Sequence, residues 1–196
     1  MVERTAEVER NTKETRIKVR LGLDGPGQAD IATGIPFLDH MLTLTAAHGF
    51  LDMAISAQGD IEVDFHHTVE DLGLVLGEAL DIALGDRYGI RRFGHAVTPM
   101  DDALAKVTID LSKRPYLVCR LPERMPSVGQ FPPHLVREFC RALATRGGMN
   151  IHINVDYGED PHHIIEAVFK SMGRALSQAA GVDARIKGAR TTKGTF

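Results

Sequence analysis

Polar and apolar residues alternate in "ETRIKVRLGLDG" (14–25) and again in "LAKVTIDLSKRPYLVCRL" (104–121). A period of two puts one face of an extended chain on a core, so both stretches predict strands or hairpins. The alternation returns in "LDMAISAQGDIEVDF" (51–65) and "MNIHINVDYGED" (149–160), each predicted as a strand. Between these lie segments with helical spacing. "GIPFLDHMLTLTAAHGF" and "QFPPHLVREFCRALATRGG" begin after a proline and stop at Gly49 or Gly147, which predicts two short helices. Two longer helices are expected over about 65–84 and 161–180, ending near Gly85 and Gly181 as glycine C-caps. Their apolar stripes, Leu72, Val75, Leu76 and Leu80 in one and Val168, Met172 and Leu176 in the other, are expected to pack against a sheet.

The order of elements repeats. Aligning "HHTVEDLGLVLGEAL" (66–80) with "HHIIEAVFKSMGRAL" (162–176) leaves six of fifteen positions identical: both histidines, the glutamate, and one glycine, alanine and leucine. Upstream, His40 precedes the first pair by 26 residues and His134 precedes the second by 28. A fixed internal period marks a duplicated unit. The fold class predicted is therefore α+β, with internally duplicated β-β-α-β-α halves forming sheets packed against helices. The halves span about 10–90 and 100–185 and are joined around 86–103 by "DRYGIRRFGHAVTPMDD". No low-complexity linker divides them, so a single domain over 1–196 with a shared core and a basic C-terminal tail is expected.

Composition narrows the class of protein. With 43% hydrophobic and 25% charged residues and a formal net charge of −3, nothing points to disorder or to a general attraction for nucleic acid. No run approaches the roughly 18 apolar residues of a membrane span. The charged start, "MVERTAEVERNTKETRIKV", lacks the apolar centre of a signal peptide. Cys119 and Cys140 lie 21 residues apart and neither belongs to a CxxC, which argues against a disulfide framework or a thiolate zinc site. A soluble, cytoplasmic protein without nucleic-acid or membrane partners is expected. The nine histidines stand out.

Four of those histidines form the adjacent pairs His66–His67 and His162–His163, each followed by a glutamate, Glu70 or Glu166. His67 with Glu70, and His163 with Glu166, are three apart and share a helix face, so each can form a short chelate. The first histidine of each pair points roughly 100° away and is suited to a second ion. The arrangement predicted is two pseudo-symmetric sites: His40, His67, Glu70 and His162 on one ion, and His134, His163, Glu166 and His66 on the other. A single HHxxE is a weak signal that usually marks a solvated helix; its repetition together with an upstream histidine is what points to metal. An imidazole and carboxylate set without thiolate suits Mn²⁺, Fe²⁺, Co²⁺ or Zn²⁺. Four protein ligands per ion leave room for substrate only where the metal accepts more than four, which argues against closed tetrahedral zinc.

The remaining polar residues are less distinctive. His48 at the end of the first short helix reads as a C-terminal cap, and His95 and His152 read as ordinary strand residues. Arg91 and Arg92 sit in a glycine-bounded loop, Lys113 and Arg114 at a strand end, and the tail "ARIKGARTTKGTF" offers cations, hydroxyls and backbone donors suited to phosphate. Lys170, one turn beyond Glu166, places a cation beside that ligand.

Taken together, "GIPFLDHML", "DFHHTVEDLG", "YGIRRFGHAVTPMDDALA", "RPY", "YGEDPHHIIEAVFKSMGRAL" and "TTKG" resemble the imidazoleglycerol-phosphate dehydratase family of histidine biosynthesis, in order from about Arg10 to Gly194. The resemblance implies a duplicated α+β unit, two Mn²⁺ per active site at subunit contacts, and a 24-subunit homo-oligomer, so that neighbouring chains complete the ligand sets. It implies metal ligands at His40, His66, His67, Glu70, His134, His162, His163 and Glu166. It also implies Glu14 and His48 near the reacting end of the substrate, and phosphate contacts from Arg92, Arg114, Lys170, Thr191 and Lys193. Family members often carry Asn where Val69 and Asp160 stand, and Pro-Ser at Arg190–Thr191. Thr191 keeps the hydroxyl, whereas Arg190 alters the tail.

The reaction implied removes water from D-erythro-imidazole-glycerol phosphate to give imidazole-acetol phosphate. The proton leaves a carbon next to the ring that no carbonyl acidifies, so the azole must accept electron density as hydroxide departs. Glu14 is the favoured base, with a metal-bound carboxylate or Asp101 as the second choice. A dinuclear phosphoester hydrolase would want the same metals and cations, and a metal-stapled assembly protein would need no substrate at all. Phosphate release from simple esters would mark the first, and loss of the oligomer on chelation without azole binding the second.

Overall fold

In the computed structural model, which describes residues 4–191, the elements fall into two runs of six. The first is β1 (Thr5–Asn11), β2 (Thr15–Gly22), β3 (Ala29–Ala32), α1 (Pro36–Gly49), β4 (Asp52–Gly59) and α2 (His66–Leu84). The second is β5 (Phe93–Met100), β6 (Ala103–Asp110), β7 (Tyr116–Arg120), α3 (His134–Arg146), β8 (Asn150–Tyr157) and α4 (Pro161–Ala180). The duplicated α+β plan is present, with one strand more per half than expected. Each half builds a four-stranded sheet of identical order, β1-β2-β4-β3 and β5-β6-β8-β7. In both, the outer short strand runs parallel to its neighbour and the other pairs are antiparallel.

The segment 86–103 is not simply a connection: it contains β5. Its inward positions are Gly94 and Ala96, while Phe93, His95 and Val97 face outward, so its hydrophobic alternation is opposite to its burial. β2 and β6 show the ordinary sense. Ile17, Val19 and Leu21, and Ala105, Val107 and Ile109, are buried, with polar neighbours outside.

The four helices lie between the sheets. α2 covers β1 and β2, α4 covers β5 and β6, and the helices then cross between halves, α2 on α3 and α1 on α4. The predicted stripes of both long helices are buried, but they contact a partner helix as well as a sheet. One continuous apolar cluster runs from Ala6 to Ala180. Fully burying such a side chain is worth about 1.5–3 kcal/mol, and much of that burial is by the opposite half. The glycine retained in both repeats marks the crossings. A Cβ on Gly77 would lie 2.8 Å from the Leu143 carbonyl and the Gly147 nitrogen, and one on Gly173 would lie 2.4 Å from the Thr45 carbonyl. The helix ends differ. Gly85 closes α2 with φ 57°, a conformation that favours glycine, whereas Gly181 has an ordinary φ of −58°.

Candidate metal and active site

Both histidine pairs open a long helix. Asp64 accepts from the backbone of His66 and Asp160 from that of His162, each at 2.7 Å, so the donors are set on the first turn. From there the pairing departs from expectation. Glu166 meets His162, Nε2 to Oε2 3.1 Å, and Glu70 meets His66 at 3.4 Å. The partner is the residue four back rather than three, and His67 and His163 turn elsewhere. Both spacings share a helix face; the turns beyond the helix decide between them.

α1 brings His40 to the same carboxylate, Nε2 3.4 Å from Glu166 Oε2, because α1 packs on α4. His40, His162 and Glu166 thus hold three donor atoms within 4.8 Å of one another, the one such set among the described residues. Within one chain His40 therefore stands against Glu166, a member of the other expected set. Glu166 is 6% exposed, and its other oxygen accepts from Lys170 at 2.6 Å. Burial pushes its carboxyl up, but Lys170 and the two histidines outweigh that and hold it below the ordinary range. An ionised carboxylate with two imidazoles facing one space fits a divalent cation of borderline hardness.

The second histidine of each pair is held by a turn at a sheet end. His67 donates through Nδ1 to Asp60 at 3.0 Å, and Glu14 stands 3.9 Å away. His163 Nδ1 meets Asp102 at 2.5 Å, with Asp101 3.5 Å from its Nε2. Asp60 raises the pKa of His67, and Asp102 that of His163. Asp102 is itself held well below the usual range by the backbone N–H of Glu159, by His163 and by the backbone N–H of Asp160. Asp60 and Asp102 escaped the sequence reading; "MDDALA" offered two carboxylates in a turn, without a sign of what they touch. His134 opens α3, exposed, outside the gathered set.

The other site residues occupy two places. His48 lies near Lys170 and Arg174; burial and then those two charges lower its pKa, which favours the neutral ring. Glu14 is half exposed. Arg92 binds Asp110 through two nitrogens at 2.7 and 3.1 Å and reaches the Arg190 carbonyl, while Arg114 lies 4.0 Å from the same aspartate. Thr191 follows in that corner, its N–H on the Ala189 carbonyl. Lys193 lies outside the described residues. β5 separates the two places: Met100 at one end touches Lys170, and Arg92 adjoins the other end. Eight residues at about 3.3 Å each put roughly 25 Å between them. His95 and His152 stand exposed on the outer face of their sheet, His152 beside Tyr116. No helix among the described residues is long and apolar enough to cross a membrane.

A duplicated α+β shell carrying an imidazole–carboxylate cluster defines this as a metal-binding protein of the lyase type that the motifs suggest. The family model for imidazoleglycerol-phosphate dehydratase matches residues 33–176. The chain is 55% identical over 193 residues to the dehydratase of Desulfosudis oleivorans, covering 98% of this chain and 99% of that one. It is 54% identical over 191 residues to that of Geobacter sulfurreducens, covering 97% and 98%. The crystal structure of the Pyrococcus furiosus dehydratase superposes with a TM-score of 0.84 at 40% identity, covering 96% of this chain and 100% of that one. The Staphylococcus aureus structure gives 0.82 at 36%, covering 91% and 99%. The chain belongs to the imidazoleglycerol-phosphate dehydratase family.

Proposed function

We propose that this chain dehydrates D-erythro-imidazole-glycerol phosphate to imidazole-acetol phosphate, a hydro-lyase step in histidine biosynthesis. The observation that carries the reading is the cluster of His40, His162 and Glu166, in a chain whose relatives are dehydratases along nearly their whole length. His40, His66, His67, Glu70, His134, His162, His163 and Glu166 are the ligands of two Mn²⁺ per active site. Bound there, divalent ions would supply the positive charge that lets the azole ring accept electron density. Glu14 takes the proton from the carbon next to the ring. It is half exposed and 3.9 Å from the nearest histidine nitrogen, free to turn toward a bound ligand. Asp101, 71% exposed, is the second candidate. His48, its neutral form favoured, lines the reacting end. Arg92, Arg114, Lys170, Thr191 and Lys193 take the phosphate.

The roughly 25 Å that the length of β5 sets between the metal donors and the Arg92 corner is too long for one small substrate to span. The active site is therefore assembled between copies, and a closed homo-oligomer of 24 chains is the proposed form. It would also bring His134, which lies outside the set gathered among the described residues of one chain, to an ion shared with a neighbour. The test is an assay of the purified protein with the imidazole substrate and manganese. Dehydration without phosphate release, abolished by chelation and restored by manganese, is expected. Phosphate release from simple esters would favour the hydrolase instead. A metal-bound oligomer that binds no azole would leave only an assembly role.

A further inference from the structure

The two halves hold their second histidines with carboxylates from different places. Glu14 precedes Thr15 at the start of β2, and Asp102 precedes Ala103 at the start of β6, so the two occupy equivalent positions in the repeat. In the second half Asp102 reaches His163 directly, at 2.5 Å. In the first half Asp60, just past β4, takes that role at 3.0 Å, and Glu14 is left at 3.9 Å. Of two equivalent carboxylates, one is hydrogen-bonded to its histidine and the other stands only at ion-pair distance.

Asp102 is bound on both oxygens. Oδ2 accepts the backbone N–H of Glu159 at 2.5 Å and of Asp160 at 3.0 Å. Oδ1 faces His163 Nδ1. Backbone amides only donate and an ionised carboxylate only accepts. The hydrogen between Asp102 and His163 therefore sits on Nδ1, and in the neutral ring Nε2, with Asp101 3.5 Å away, keeps its lone pair. The same carboxylate ties the β5–β6 turn to the loop that enters α4, so it fixes the ring's position as well as its tautomer.

We propose that Asp102 is a positioning residue that holds His163 in its Nδ1–H form and presents Nε2 to a metal ion. The proposal rests on the metal reading above only for what Nε2 meets; the tautomer stands apart from it. Asp102→Asn separates this role from mere clamping. The amide oxygen can still accept both backbone N–H groups, but its NH₂ then faces His163 Nδ1 and donates, which drives the ring hydrogen to Nε2.

Neutron diffraction from metal-free crystals at alkaline pH shows the ring deuteron directly. It is expected on Nδ1 of His163 in the parent protein and on Nε2 in Asp102→Asn. Manganese titration of the full chain is expected to show affinity about 10–100-fold weaker in the variant. Rescue by Asp102→Glu, which keeps an acceptor on both oxygens, is expected in part. A deuteron on Nε2 in the parent protein, or manganese affinity unchanged within twofold in a folded Asp102→Asn, overturns the proposal. The parent measurement decides it even if the variant does not fold. A parent protein with the Nδ1 deuteron that takes up no manganese would sink the metal reading and leave the tautomer assignment standing.

Discussion

The histidine motifs at the starts of α2 and α4 are copies in sequence, yet among the described residues only the second gathers a cluster within the chain. Around α4, Glu166 is nearly buried, with Lys170 one turn on and His40 crossing from α1. Around α2, Leu74 stands where Lys170 stands in the repeat, and the cation near Glu70 is Arg141 of α3, at 3.6 Å. Glu70 stays 37% exposed, against 7% for Glu166. Duplication reproduced the backbone frame; single side chains decided which copy closes on its own. The loosely paired Glu14 of the first half, against the firmly bound Asp102 of the second, follows the same pattern. The two halves supply matching geometry but divide the chemistry.

The largest test of that division is Glu14→Gln. Its side chain makes little contact with the fold, so metal uptake and thermal stability should be unchanged while turnover falls about 10²–10⁴-fold. Turnover within threefold of the parent would give the proton transfer to another group. Next come the glycines at the helix crossings, where the halves are most alike. Gly173→Ala and Gly77→Ala force a Cβ against backbone on the opposite half, and each should cost about 1–3 kcal/mol in denaturant unfolding. A neutral Gly77→Ala beside a costly Gly173→Ala would show that the α2–α3 seam is the looser one.

How much of this could be read from the sequence follows from which interactions are local. α2 and α4 were legible nearly to the residue because a long apolar stripe and a glycine at its end are written within a few turns. β1 and β5 were not. Their inner faces are small or sparse, Ala6 and Val8 in one and Gly94 and Ala96 in the other, while β5 turns Phe93 and Val97 outward. The histidines and glutamates were found by repetition, but the choice between a spacing of three and four was closed to sequence, since both share a face. It was settled by Asp60 and Asp102, which come from turns at the sheet ends. Arg87 was hidden in the same way. Its side chain is wholly buried and donates to Asp81 and to the carbonyls of Gly147 and Gly148, joining the end of α2 to that of α3. In sequence it is one more arginine in a charged loop.

Two milder substitutions measure how far each motif is prepared without metal. In chelated protein, Glu166→Gln leaves Lys170 facing a neutral amide in a partly buried site, and a loss of about 1–2 kcal/mol is expected. Glu70→Gln, half exposed, should cost under about 1 kcal/mol. Equal losses would remove the contrast between the two motifs. The smallest effect belongs to Arg141→Ala. Arg141 lies 56% exposed between Glu70 and Glu138, and such a pair is screened by water and salt. Its removal should change stability by less than about 0.5 kcal/mol, with the difference shrinking as salt is raised. A salt-independent loss above about 1.5 kcal/mol would mean that Arg141 holds Glu70 in place as firmly as Lys170 holds Glu166, and that the first motif is also built within one chain.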